Sequence, residues 1–129
     1  MKNFSSKLSA SQQAERLLPP QRRVKAVLDT DAYNEIDDQF AILYAMLSPE
    51  KIDLQAIYAA LFYNGRSSSP ADGMEKSYQE ILKICGLTGR DPEGFVFRGC
   101  RAPLEGPELP QESEAVNDLI RKARQASPD

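Results

Sequence analysis

Val24-Lys25-Ala26-Val27-Leu28-Asp29-Thr30-Asp31, continuing through Ala32-Tyr33-Asn34-Glu35-Ile36-Asp37-Asp38, is the stretch on which the fold turns. Val24 to Leu28 is a short apolar-rich run with β-branched valines, and turn chemistry follows it, which predicts a strand. Beyond the acidic residues, Ile36, Phe40, Leu43, Tyr44 and Leu47 fall at i, i+4, i+7, i+8 and i+11. That spacing predicts a helix with one apolar face. Asn34 is placed to cap it, with Asp37 three residues on, and Ser48-Pro49 ends it.

Downstream the alternation continues. Leu54 to Phe62 reads as a buried strand, and Asn64 to Pro70 as a polar loop. Ser69-Pro70-Ala71-Asp72 has the form of a capping box with proline at the first helical position. Met74, Tyr78, Ile81, Leu82 and Cys85 line one face of the helix it opens, and Gly86 is a suitable stop. Phe95-Val96-Phe97 is a third short strand, and residues 102–112, with three prolines, are a loop. Val116, Leu119, Ile120 and Ala123 mark a last helix opened by Ser113 or Glu114. Residues 1–23 are polar and read as a tail with a turn or two of helix around Gln12 to Leu18. Residues 24–129 then form one α/β unit, β-α-β-α-β-α, a Rossmann-like parallel sheet flanked by helices. In such sheets ligands bind beyond the carboxyl ends of the strands. Three loops lie there: Asp29 to Asp38, Tyr63 to Ser69, and Arg98 to Pro103.

Composition narrows the function classes. With 41% hydrophobic and 27% charged residues the chain is an ordinary soluble one. A net charge of −3 without a basic stripe argues against a nucleic-acid partner, and Arg22, Arg23 and Lys25 read as a solvated strand entry. Cys85 and Cys100 form no CxxC, and there is no histidine, so no zinc site is expected. Both cysteines read as reduced, with Cys85 on a buried helix face. No apolar run has the length to cross a bilayer and none at the N-terminus resembles a signal peptide, so no membrane partner and a cytoplasmic location are expected.

The acidic loop carries the chemistry. Asp29, Asp31, Glu35, Asp37 and Asp38 are five carboxylates within ten residues, and no lysine or arginine occurs from Ala26 through Glu50. Two carboxylates about 4 Å apart repel by about 4 kcal/mol at an effective dielectric near 20. Such groups protonate, spread into solvent, borrow a distant cation or bind a metal. Glu35, Asp37 and Asp38 also suit a helix's first turn, where the macrodipole favours acids. Asp29 and Asp31, at the end of an apolar strand, have no such explanation, and oxygen ligands there suit a hard cation, Ca²⁺ or Mg²⁺.

Val27-Leu28-Asp29-Thr30-Asp31, then Asp37-Asp38, then an aliphatic helix, resembles the N-terminal signature of the inosine/uridine-preferring nucleoside hydrolases. The likeness runs from about Val24 to Lys122, and Asn64 stands where the family's next strand ends in an asparagine-bearing loop. Five residues, Ala32 to Ile36, separate Asp31 from the Asp37-Asp38 pair; the best-known members have three, which places this chain with a longer-loop subgroup. Family members are more than twice as long, and their second half supplies a further aspartate ligand and usually a histidine near the leaving base. The resemblance therefore implies the N-terminal part of a nucleoside hydrolase fold.

The implied activity is metal-dependent hydrolysis of the N-glycosidic bond of a nucleoside, through an oxocarbenium-like transition state. Asp31 would be a Ca²⁺ ligand and general base for a metal-bound water, with Mg²⁺ the lesser alternative. Asp38 would be the bidentate metal ligand, Asp37 and Asn64 would bind the ribose, and Asp29 would orient Asp31 from behind. Asn64-Gly65 is equally a common turn pair. The partner would be a nucleoside or related ribosyl compound, with a homo-oligomer in the full-length form and the isolated chain inactive or incomplete. Arg66 is expected to face solvent. Two rivals share the residues. A haloacid dehalogenase-like Mg²⁺ phosphatase would use Asp29 and Asp31, but has Tyr33 where it expects threonine or valine and leaves Asp37-Asp38 unexplained. A non-catalytic metal- or ribose-binding fragment is the other.

Overall fold

The computed structural model describes residues 8–126. Seven elements follow one another: α1 (Ala10–Arg16), β1 (Val24–Thr30), α2 (Ile36–Met46), β2 (Ile52–Ala59), α3 (Pro70–Thr88), β3 (Val96–Arg98) and α4 (Glu114–Gln125). The three strands form one parallel sheet in the order β1-β2-β3. The expected β-α-β-α-β-α alternation is present, preceded by α1, whose Ser9 capping box closes its first turn and which buries no residue. Among the described residues no helix is long and apolar enough to cross a membrane.

Side chains alternate across β2 and so build two cores. On one face Ile57 and Ala59 meet Ile42 of α2 and Met74, Ile81, Ile84 and Cys85 of α3. Fully burying side chains such as Ile57 and Ile81 stabilises the fold by roughly 1.5–3 kcal/mol each. On the other face Ala56 and Tyr58 meet Ala115 of α4, with Phe97 of β3 against them. The second face is tied by a buried charge. Tyr58 Oη donates to Asp118 Oδ2 at 2.7 Å, and Lys122 Nζ reaches the same carboxylate at 2.6 and 2.8 Å. Arg121 completes the cluster. Burial opposes the charge on Asp118, but hydrogen bonds from Lys122, Tyr58 and Arg121 outweigh it and hold its pKa below the ordinary carboxylate value.

Helix capping follows the sequence closely at two places. Ser69 accepts from the Asp72 N–H at the start of α3, with Pro70 at its first position, and Ser113 accepts from the Val116 N–H at the start of α4. Helix α3 runs past Gly86 to Thr88 and stops at Gly89, whose φ of +68° is the left-handed conformation a glycine cap provides. Gly73 has a different role. A Cβ there would lie 2.0 Å from the Phe62 carbonyl oxygen, so only glycine lets α3 rest against the exit of β2.

Two helix faces differ from expectation. On α2 the residues turned inward are Ile42, fully buried, with Leu43 and Met46 partly so. Ile36, Phe40, Tyr44 and Leu47 are 66–73% exposed, so the apolar spacing marks an outer ridge. On α4 the buried residues are Ala115 and Asp118, while Leu119 and Ile120 are exposed. The physical reason is polar in both helices: Asp118 must reach Tyr58, and Asp38 must reach β1, as described next.

Candidate metal and ribose site at the end of the first strand

Strand β1 ends one residue short of Asp31, and the chain turns at once, with the Asn34 N–H donating to the Asp31 carbonyl at 2.7 Å. This turn folds the acidic loop back over the strand end. Helix α2 then begins with Glu35 as its N-cap residue, without a side-chain capping bond. Asn34, expected as the cap, is occupied elsewhere: its Nδ2 donates to Asp31 Oδ2 at 2.9 Å, and its Oδ1 accepts from Asn64 Nδ2 at 2.5 Å. One asparagine thus joins the first strand-end loop to the second.

Asp38 returns to β1 in the first turn of α2. Its Oδ1 accepts from the Thr30 hydroxyl at 2.7 Å, which brings it beside Asp31. The Asp38 pKa is raised. Lost hydration is the largest cause, the Thr30 hydrogen bond opposes it, and contact with Asp31 and the charge of Asp37 raise it further. Asp29 is also raised, first by lost hydration and then by the Asp31 charge. Asp29 sits on the opposite side of the strand end, lining a hollow of about 280 Å³ with Tyr58, Gly99 and Cys100.

Asn64 is held firmly. Its N–H donates to Ser67 Oγ at 3.2 Å and its Oδ1 accepts from the Arg66 N–H at 2.9 Å, the local turn that Asn-Gly favours. Ser67 Oγ also donates to the Phe62 carbonyl at 3.2 Å, and the Tyr33 ring stacks on Phe62 with centroids 6.5 Å apart. Arg66 is exposed, as expected, yet its guanidinium donates to the Asn34 carbonyl. Hydrogen bonds therefore join Asp31 to Asn64 through Asn34, and Asp38, held by Thr30, lies beside Asp31. Asp37 is exposed and contributes its charge to Asp38. The third loop stands apart: Arg98 is engaged by Glu75 through two hydrogen bonds of 2.9 and 3.0 Å and lies over the Tyr78 ring at 3.7 Å.

Thr30 is a site residue that the sequence did not single out; Asn34 was expected as a helix cap and Arg66 in solvent, with the pocket the lesser expectation for each. The threonine between Asp29 and Asp31 was visible in the motif, but its partner eight residues on was not. Among the described residues, no ion pair involves Asp29, Asp31, Asp37 or Asp38. One oxygen of Asp31 and one of Asp38 are taken by neutral donors, so their charge is uncompensated. That donor set fits a hard cation in chemistry. It fits in part by number: no group of three or more histidine, cysteine, aspartate or glutamate side chains is placed to hold a metal among the described residues. Since Ca²⁺ takes about 6–8 oxygens, carbonyls, water or further groups would complete the shell. In comparisons with known proteins, no family model, curated protein or solved structure matches the chain.

Proposed function

We propose that this chain provides the cation- and ribose-binding strand end of an N-glycosidic nucleoside hydrolase, in the longer-loop subgroup that the sequence resembles. The observation that carries this reading is the pairing of Asp31 with Asp38, cross-linked to Asn64 through Asn34 and lacking a cationic partner among the described residues. In this reading Asp31 and Asp38 would hold Ca²⁺, which would supply an activated water when bound. Asp31 would take the proton, Asp37 and Asn64 would receive ribose hydroxyls, and Asp29 would steady the strand end behind Asp31. The role of Asp38 distinguishes the reading from the phosphatase alternative, in which the second aspartate pair has no task.

Calcium titration by calorimetry tests it. Wild type is expected to bind Ca²⁺, and Asp38→Asn and Asp31→Asn are each expected to weaken binding at least about tenfold. Addition of a nucleoside should tighten Ca²⁺ binding, whereas a phosphomonoester should not. Turnover by this chain alone is expected to be negligible, because it contains no histidine and its described residues supply two of the needed carboxylates. Equal calcium affinity in wild type and Asp38→Asn would remove the site.

A further inference from the structure

We infer that Asn34 is a positioning residue, whose side-chain amide holds Asn64 in the one orientation its neighbours allow and ties that orientation to Asp31. The consequence for the ribose rests on the proposed function; the orientation itself does not. All the polar groups of Asn34 are spent between the first two strand-end loops. Its N–H donates to the Asp31 carbonyl at 2.7 Å and its Nδ2 to Asp31 Oδ2 at 2.9 Å. Its Oδ1 accepts from Asn64 Nδ2 at 2.5 Å, and its carbonyl accepts from the Arg66 guanidinium. Asn64 Oδ1 in turn accepts from the Arg66 N–H at 2.9 Å. Helix α2 gains nothing from this arrangement: asparagine is a favoured cap, yet α2 starts on Glu35 without a side-chain capping bond.

The order of donors is fixed from both ends. An ionised carboxylate only accepts and a backbone N–H only donates, whereas a side-chain amide does both and can be turned end for end. Asp31 draws Nδ2 of Asn34 toward itself, which leaves Oδ1 for Asn64. The Arg66 N–H draws Oδ1 of Asn64 toward itself, which leaves Nδ2 for Asn34. The two requirements meet in one bond and agree. Donors therefore run in one direction, from Arg66 through Asn64 and Asn34 to the Asp31 charge, and in such a chain each bond polarises the next. Asp31 and Asn34 are half-buried and Asn64 is open to solvent, so the reachable end of the chain is the residue proposed to meet the sugar. With one Nδ2 hydrogen and one Oδ1 lone pair in use, Asn64 presents one donor and one acceptor in a fixed disposition. A hydroxyl, itself donor and acceptor, matches that pair. Asn34 thus acts on the ligand through Asn64.

Nuclear magnetic resonance of the 129-residue chain tests both levels. Without calcium or nucleoside, the Asn64 side-chain amide should exchange with solvent more slowly than that of a free asparagine. Asn34→Ala should speed this exchange about fivefold, the worth of a typical hydrogen bond, while the Asn64 backbone N–H, held by Ser67, keeps its own rate. Circular dichroism confirms that the variant is folded. An Asn64 amide unchanged in Asn34→Ala would overturn the inference and leave the proposed function standing. At saturating Ca²⁺, titration with inosine and uridine reads the second level. Asn34→Ala and Asn64→Ala should each weaken nucleoside binding about fivefold, and the double variant should bind no more weakly than Asn64→Ala alone, because one residue works through the other. Losses that multiply would show Asn34 acting elsewhere and overturn the inference. A wild type that binds neither nucleoside would sink the proposed function and the ribose role with it, while amide exchange would still decide what holds Asn64.

Discussion

Two glycines in one helix make opposite predictions for the same substitution. Both Gly73 and Gly86 lie within α3, so alanine at either position gains helix propensity, by about 1 kcal/mol in a helix interior and less near the end. At Gly86 a Cβ meets nothing within 4 Å, so Gly86→Ala should stabilise by roughly 0.5–1 kcal/mol. At Gly73 the Cβ would lie 2.0 Å from the Phe62 carbonyl oxygen and 2.9 Å from its carbon and nitrogen, where real Cβ contacts essentially never fall under 3.0 Å. The obstacle is backbone, which cannot swing aside as a side-chain tip does. Overpacking costs about 1–3 kcal/mol, and here the upper end applies. Against a gain of about 1, Gly73→Ala should destabilise by about 2 kcal/mol net. Thermal unfolding should fall by roughly 8 °C for Gly73→Ala and rise by roughly 2–4 °C for Gly86→Ala, for a domain of this size. Shifts of the same sign, or a Gly73→Ala midpoint at or above wild type, would refute the reasoning. The substitution also bears on function, because Phe62 accepts from Ser67, which accepts from the Asn64 N–H.

Other tests follow from the same geometry. Asp118→Ala leaves Tyr58 Oη unpaired and Lys122 without its carboxylate; with Lys122 partly open to solvent, urea unfolding should register a loss of about 2–3 kcal/mol, and no loss would deny the cluster its role. Among the described residues Ser77 Oγ is buried without a hydrogen-bond partner, so Ser77→Ala should raise the unfolding midpoint by the equivalent of about 1 kcal/mol; a lower midpoint would mean that the hydroxyl is satisfied. For pH, Arg98 holds Glu75 at about 2 and Lys76 holds Asp72 at about 2, while Asp118 is also depressed. Carboxylates lowered in the fold contribute stability that is complete above their unfolded pKa and lost as pH falls through the folded value. The midpoint should therefore be level above about pH 5 and decline toward pH 2; a midpoint unchanged down to pH 2 would contradict this. Asp38 has the opposite sign, its raised pKa marking a charge the fold tolerates poorly, so without calcium at neutral pH Asp38→Asn should unfold at a higher temperature than wild type. A lower midpoint there would count against crowding between Asp31 and Asp38.

The elements of the sheet were legible because each has a local cause. The valines of β1, the Ser69-Pro70 start of α3 and the Ser113 start of α4 act through neighbours in sequence, and the structure has all three. Boundaries were less so: β1 extends through Asp29 to Thr30, and α3 passes Gly86, because pairing with β2 and packing on the sheet outlast the local stop. In the acidic loop the residue types were visible, but the links Thr30–Asp38 and Asn34–Asn64 span eight and thirty residues and depend on how the loops meet. Asn34 illustrates the competition. As a cap it would serve α2; in the fold its amide serves Asp31 and Asn64 instead, and α2 begins without a side-chain cap.

The exposed ridge on α2 connects these points. Periodicity identifies an apolar face but does not say that the sheet will receive it. Phe40 and Ile42 are two residues apart, so they point roughly 200° apart around a helix of 3.6 residues per turn. Burying Phe40 and Tyr44 against the sheet would turn Ile42 outward and carry Asp38 away from Thr30. The observed rotation keeps Asp38 on the Thr30 hydroxyl and Gln39 on Glu80 of α3 at 3.2 Å, with Ile42 fully buried. Two polar contacts and the inward Ile42, Leu43 and Met46 thus prevail over four large apolar side chains left about two-thirds exposed. Burying that ridge instead would gain on the order of 1.5–3 kcal/mol per side chain, but it would give up the burial of Ile42, Leu43 and Met46. The orientation is intelligible if the Asp31–Asp38 pairing is what the helix start is built to hold, and that is also where the proposed activity resides.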